Sequence, residues 1–152
     1  MNKRYAYLAA PLFNLRERDF NISLATMVGQ HFDVFLPQRD GSLLVDMVDA
    51  GVSLEVAQQR VFLQDCEAMK RSSLLVAVLD GAHVDEGVAY EIGFANALSI
   101  PCVGFQSDVR RALPTGNNPM IQCALAEIFS DTESLSFWLD AEFGEMRPQI
   151  VA

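Results

Sequence analysis

LVAVLDGAHVDEGVAYEIGFANAL, residues 75–98, carries the architecture of this chain. Its opening apolar run, residues 74–79, is too short for a helix, is rich in branched side chains and is closed by Asp80-Gly81, which is how a buried parallel strand reads. A loop and then a helix follow. Asp85, Glu86 and Gly87 stand just before a segment in which Ala89, Ile92, Gly93 and Leu98 recur at helical spacing, so the acids occupy the helix entrance. Glu91 lies one turn further in. Ligands of open α/β sheets bind beyond the carboxyl ends of the strands, where this loop must lie, so three acids, Asp85, Glu86 and Glu91, are expected at the cleft.

Working outward, residues 5–10 form a first buried strand ended by Pro11, whose missing N–H cannot serve a central ladder. Residues 17–29 carry Phe20, Ile22, Leu24, Met27 and Val28 in a helical pattern, and residues 33–36 give a second strand before Pro37. Residues 38–53 are mixed, with Gly41 and Gly51 as punctuation, and read as an active-site loop with a short helix around 43–49. From 54 to 71, Val56, Val61, Phe62, Cys66 and Met69 predict a long helix that feeds the central strand and carries Asp65. Residues 101–105 form a fourth strand, 108–120 a loop containing Pro114, Gly116 and Pro119, and 124–129 a last short strand or turn. A helix with acids in its first turn runs from 131 to 143 and stops at Gly144, leaving a loose tail from 145 to 152. Strands alternating with helices predict an α/β fold: a doubly wound parallel sheet of about five strands with helices on both faces, in one domain spanning residues 1–152.

Composition narrows the function. A net charge of −9 argues against nucleic acid or an anionic membrane as partner, since both require basic patches, and favours a small uncharged ligand. The hydrophobic content of 51% predicts a large core or surface buried between subunits, hence an oligomer. Cys66, Cys102 and Cys123 are an odd number at scattered spacings and read as reduced thiols, not a disulfide framework or zinc site. The N-terminal apolar run is broken by Pro11 and Asn14, and nothing approaches a membrane span, so a cytoplasmic protein is expected.

The common dinucleotide, P-loop, hydrolase and zincin motifs are absent. What remains is carboxylates. A pair of them plus a third acid is the equipment for glycosyl transfer, because one can attack the anomeric carbon while another protonates the leaving group.

Four segments then carry a resemblance: YLAAPLF at 7–13, VFLQD at 61–65, DEGVAYEIGFA at 85–95 and NPM at 118–120. Together, in this order and spacing, they resemble the nucleoside 2-deoxyribosyltransferase family. The resemblance implies a flavodoxin-like domain in dimers or hexamers that transfers 2-deoxyribose between nucleobases without metal or cofactor. It thereby implies a pentosyltransferase of nucleoside salvage acting on 2-deoxyribonucleosides and free nucleobases. Matched residue by residue, Glu91 is the nucleophile that forms a covalent deoxyribosyl ester. Asp85 binds the sugar hydroxyl. Asp65 protonates the departing base, with a pKa raised by like charges nearby. Tyr7 holds the nucleophile, and Phe13 packs against the base. Asn118 and Met120 reach into a neighbouring subunit's site. Two inversions give net retention.

Each residue also has a plain structural role open to it. Glu91 and Asp65 can be helix surface acids, Asp85 an N-cap, Tyr7 and Phe13 core residues, and Asn118 and Met120 a turn residue and a gap filler. Gln38 and Asp40 follow a strand end and are candidates for base recognition, as is Phe62 of VFLQD for substrate binding. His83 reads as a loop residue. Against the family pattern, Ala10 stands where glycine is frequent, Glu86 extends the acidic cluster, and the tail lacks an aromatic end. Two other functions fit the same framework. One is a 2-deoxynucleoside 5-monophosphate N-glycosidase, which needs serine, glycine amides and arginine for a dianion that the 116–120 loop supplies poorly. The other is a non-catalytic nucleotide-ligand sensor, which gains little from clustered acids.

Overall fold

The protein was analysed as a computed structural model that describes residues 4–111 and 116–144. The chain runs β1 (Arg4–Ala9), α1 (Leu15–Val28), β2 (Phe32–Phe35), α2 (Pro37–Asp40), α3 (Leu44–Asp49), α4 (Leu54–Lys70), β3 (Leu74–Val78), α5 (Glu86–Ala97), β4 (Cys102–Phe105), a 3-10 turn (Val109–Arg111), α6 (Pro119–Gln122), β5 (Glu127–Phe129) and α7 (Thr132–Phe143). All strand pairs are parallel, in the order β2-β1-β3-β4-β5. This is the doubly wound, flavodoxin-like arrangement, whose direction reverses between β1 and β3.

Strand alternation sorts the core into two layers. Ala6 and Leu8 of β1 and Leu74, Val76 and Val78 of β3 face Leu24, Ala25 and Val28 of α1 and Leu135 and Leu139 of α7. Tyr7 and Ala9, with Leu75 and Ala77, face Cys66 and Met69 of α4 and Val88 and Ile92 of α5. A side-chain period of 2 therefore sends Tyr7 to the α4–α5 side, and burial on both faces explains why these strands are continuously apolar. Gly104 of β4 sits closely under its neighbours, since a Cβ there would stand 3.0 Å from the Leu79 and Leu125 methyl groups and those side chains would have to shift. Gly81 turns the chain out of β3 at φ +123, a conformation that only glycine takes without strain.

The structure corrects several details of the helical pattern. On α1 the packed stripe is Asn21, Leu24, Ala25 and Val28, and Ile22 is exposed. On α4 it is Ala57, Cys66, Ala68 and Met69, with Val56 and Phe62 outside it. On α5 it is Val88, Ile92 and Ala95, while Gly93 and Leu98 face solvent. The helix α1 starts at Leu15, earlier than its apolar residues indicate, because the Asn14 side chain accepts from Glu17 N and the Glu17 carboxylate accepts from Phe13 N. Pro37 and Pro119, read as strand or loop breakers, each occupy the first turn of a short helix, where a missing N–H costs nothing. The tail expected to be loose, residues 145–152, lies outside the described residues.

One buried polar group ties together the segments that follow β1 and β2. Asn21, 1% exposed, donates through Nδ2 to the Pro11 carbonyl at 2.8 Å and to Gln38 Oε1 at 2.9 Å. Replacing Asn21 with Ala strips both acceptors of their donor, and urea unfolding is expected to show a loss of about 1–3 kcal/mol.

Candidate active site

Val88, Ile92 and Ala95 point α5 at the sheet, and Glu91 is three residues after Val88 and four before Ala95. It therefore lies on the edge of the packed stripe, and its carboxylate is carried inward rather than out to water. There Glu91 Oε1 accepts a 2.5 Å hydrogen bond from the hydroxyl of Tyr7, which is itself fully buried and stacked on Phe35. A cavity of about 310 Å³ opens beside this pair, between α4 and α5. Its walls are mostly apolar, including Leu44, Val61, Phe62 and Met69, and Asp65 and Glu91 are the two acids on it.

Burial dominates the electrostatics. It pushes the Glu91 carboxyl up to about 8, the Tyr7 hydrogen bond pulls the other way, and the charges of Asp65 and Asp85 add to the rise. Asp65 rises to about 6. Burial, and not the like charges expected from the sequence, raises Asp65, while its own charge acts on Glu91 and Tyr7. Burial first, and then the charges of Glu91 and Asp65, hold the Tyr7 hydroxyl far above its ordinary range. Tyr7 stays protonated, and its hydroxyl donates to Glu91.

The other sequence candidates are distributed differently. Asp85 caps α5, its Oδ2 accepting from Gly87 N at 3.0 Å and Val88 N at 3.1 Å. It lies off the cavity wall, yet near enough for its charge to act on Glu91. Glu86, expected with the cleft acids, is exposed and does not line the cavity. Phe62 lines the cavity, 51% exposed at its mouth. Phe13 is 74% exposed and outside it. Gln38 is committed at both ends, accepting from Asn21 and donating to the Arg18 carbonyl. Asp40 accepts from Leu36 N at 2.9 Å and pairs with Arg39. Asn118 caps α6 by accepting from Met120 N, and Met120 is 81% exposed, both away from this chain's own cavity. His83 lies with Asn118 on a separate depression.

Sequence alone does not mark the other lining residues as part of a site, among them Gln58, Tyr90 and Cys66. Gln58 had a usable signal, since it stands seven residues before Asp65 and four before Phe62 and so shares their face of α4. Among the described residues no helix is long and apolar enough to cross a membrane, and no cluster of His, Cys, Asp or Glu side chains is placed to hold a metal ion.

A parallel sheet wound on both sides, with a tyrosine-held carboxylate and a second raised acid in one apolar cavity, defines an α/β domain equipped for acid–base and nucleophilic chemistry. Residues 6–137 match the model of the nucleoside 2-deoxyribosyltransferase family, and the chain belongs to that family of enzymes. Among solved structures it is similar to a conserved protein from Enterococcus faecalis V583, at 27% identity and a TM-score of 0.74 over 91% of this chain and 98% of that one. It shares its fold with a 2-deoxyribosyltransferase from Bacillus psychrosaccharolyticus, with 23% identity, a TM-score of 0.66 and coverage of 87% and 90%. It also shares it with a CMP N-glycosidase from Clostridium botulinum, at 17% identity and a TM-score of 0.56 over 90% and 99%. No curated protein sequence matches the chain significantly.

The raised carboxyl has a thermodynamic signature. An unfolded glutamate loses its proton near 4.5, whereas the folded chain keeps it to about 8, so folding stability falls as pH rises between those values. Glu91→Gln removes that penalty and keeps a group able to accept from Tyr7. Melting curves are expected to show the variant more stable than the wild type by on the order of 1–3 kcal/mol at pH 8, after discounting for partial exposure, with the difference closing toward pH 5.

Proposed function

We propose that this protein is a nucleoside 2-deoxyribosyltransferase that exchanges nucleobases on 2-deoxyribonucleosides through a covalent deoxyribosyl-Glu91 ester. The observation that carries this reading is the 2.5 Å bond from Tyr7 to Glu91 Oε1 beside Asp65 in one apolar cavity. Tyr7 fixes one carboxylate oxygen and leaves the other to attack the anomeric carbon. As the bond from that carbon to the base breaks, Asp65 gives its proton to the departing ring nitrogen. The base leaves, and a second base attacks the ester from the face the first one vacated. That base returns a proton to Asp65, Glu91 leaves as carboxylate, and two inversions give net retention. Asp85, held as the helix cap, positions the sugar hydroxyl, and apolar walls keep water from the ester.

Acids in the cavity fit an uncharged nucleoside better than a monophosphate, because no arginine or lysine is among its described lining residues. Asn118 and Met120, placed away from their own chain's cavity, suit a site completed by a neighbouring subunit. Leu54 and Leu63, each more than half exposed on α4, give such an oligomer apolar surface to bury. The setting consistent with this chemistry is cytoplasmic nucleoside salvage, with no cofactor.

Incubation with deoxyinosine and free adenine should yield deoxyadenosine, and Glu91→Gln should reduce that exchange on the order of 10⁴-fold or more. Free hypoxanthine without deoxyadenosine would instead indicate an N-glycosidase, and no reaction would sink the nucleoside reading.

The pKa order gives a pH profile. Turnover needs Glu91 ionised and Asp65 protonated, the reverse of what burial favours, so the pair shares one proton between about 6 and 8. The exchange rate should be level across that window, falling below it as the pair gains a second proton and above it as the last is lost. In Asp65→Asn the alkaline fall should disappear, and the weakened activity should rise with pH until Glu91 is ionised. An unchanged alkaline limb would remove Asp65 from the proton transfer.

A further inference from the structure

Gln58 and Asp65 stand on one face of α4, two turns apart, with Phe62 between them, and all three line the cavity. Seven residues of helix separate their Cα atoms by about 10 Å along the axis. The Gln58 side chain makes no hydrogen bond to any described residue, in contrast to those of Gln38, held by Asn21 and Arg18, and Gln64, held by Ser42 N and the Asp40 carbonyl. It is the one carboxamide among the described cavity residues. Facing it, Tyr90 of α5 brings its ring within 6.1 Å of the Phe62 ring, centroid to centroid. Phe13, the ring the resemblance assigns to the base, points elsewhere and is 74% exposed.

We propose that Gln58 reads the edge of the nucleobase furthest from the sugar, with Phe62 and Tyr90 as its aromatic walls, and that this arrangement prefers purines. The inference rests on the nucleoside reading above and adds the base class to it. A carboxamide donates and accepts at once, so it meets the adjacent donor and acceptor on the outer edge of adenine or hypoxanthine. The ring nitrogen that takes the proton must face Asp65, which fixes the other end of the base. A two-ring base with a hydrogen bond of about 2.9 Å at each end matches the roughly 10 Å rise between the two Cα atoms, whereas a one-ring base held at Asp65 leaves Gln58 unmet. Aromatic walls suit either base, because every base has a stacking face.

Binding can be measured without turnover in the Glu91→Gln protein, by calorimetry with deoxyadenosine, deoxyinosine and deoxycytidine. Both purine nucleosides are expected to bind more tightly than deoxycytidine. Adding Gln58→Leu should weaken the two purine nucleosides roughly tenfold or more and leave deoxycytidine within about twofold. Adding Phe62→Ala should weaken all three alike, by roughly tenfold. Both positions are exposed on the helix, and circular dichroism checks that the variants fold. Purine affinities untouched by Gln58→Leu, or deoxycytidine bound as tightly as the purines, would overturn the proposal. Base exchange by the wild type separates the two readings. Exchange with no effect of Gln58 leaves the transferase and removes this base site. Gln58-dependent purine binding without exchange leaves the base site and removes the transferase. Failure of all three nucleosides to bind overturns both.

Discussion

A carboxylate pressed against a sheet is unfavourable unless something holds it, and here the holder is the hydroxyl of a fully buried tyrosine, 2.5 Å from Glu91 Oε1. Much of the molecule is arranged around that bond. β1 must be central, so that Tyr7 is fixed by ladders to β2 and β3 on both sides. α5 must pack through Val88, Ile92 and Ala95, so that Glu91 is turned inward. Its entrance must be capped by Asp85, which also sets a second negative charge near the first. Moving any of these by one residue sends a side chain to the wrong face, because strands alternate with period 2 and a helix face repeats every three to four residues.

Burial then sets the protonation of the two acids. The same loss of water that destabilises ionised Glu91 raises Asp65, so two acids that titrate near 4 in water come to share one proton between about 6 and 8. Such a site is a cost to folding, and proteins keep such costs where function depends on them. The absence of cationic side chains among the described lining residues leaves the acids uncompensated, which suits a neutral nucleoside.

Sheet and helices were largely legible from the sequence, because apolar runs bounded by Asp-Gly or Pro, and helical patterns bounded by Asp85 and Asp131, are strong local signals. Finer packing was not. Ile22, Val56 and Leu98 look like core residues by type, but Ala25, Ala68 and Ala95 occupy the helix–sheet contacts, where small side chains let backbones approach closely. Short helices at Pro37 and Pro119 were hidden because proline stops one element and starts another with the same residue. Within the site, Glu91, Asp65 and Tyr7 were named from motifs, but their meeting is a long-range fact: 84 residues separate the two ends of the Tyr7–Glu91 bond. Gln38 and Asp40 were drawn into the site by their position after a strand, whereas the structure spends both on local bonds. Gln58 carries no motif, and only its spacing from Phe62 and Asp65 on one helix face marks it.

The central claim is that Glu91 becomes covalently attached to the sugar, and intact-protein mass spectrometry tests it most directly. Acid-quenched protein mixed with deoxyinosine in the absence of an acceptor base should gain the mass of one deoxyribosyl group. Peptide mapping should place that group on Glu91, and Glu91→Gln protein should gain nothing. Release of hypoxanthine with no adduct at any quench time, or an adduct on another residue, would contradict the account.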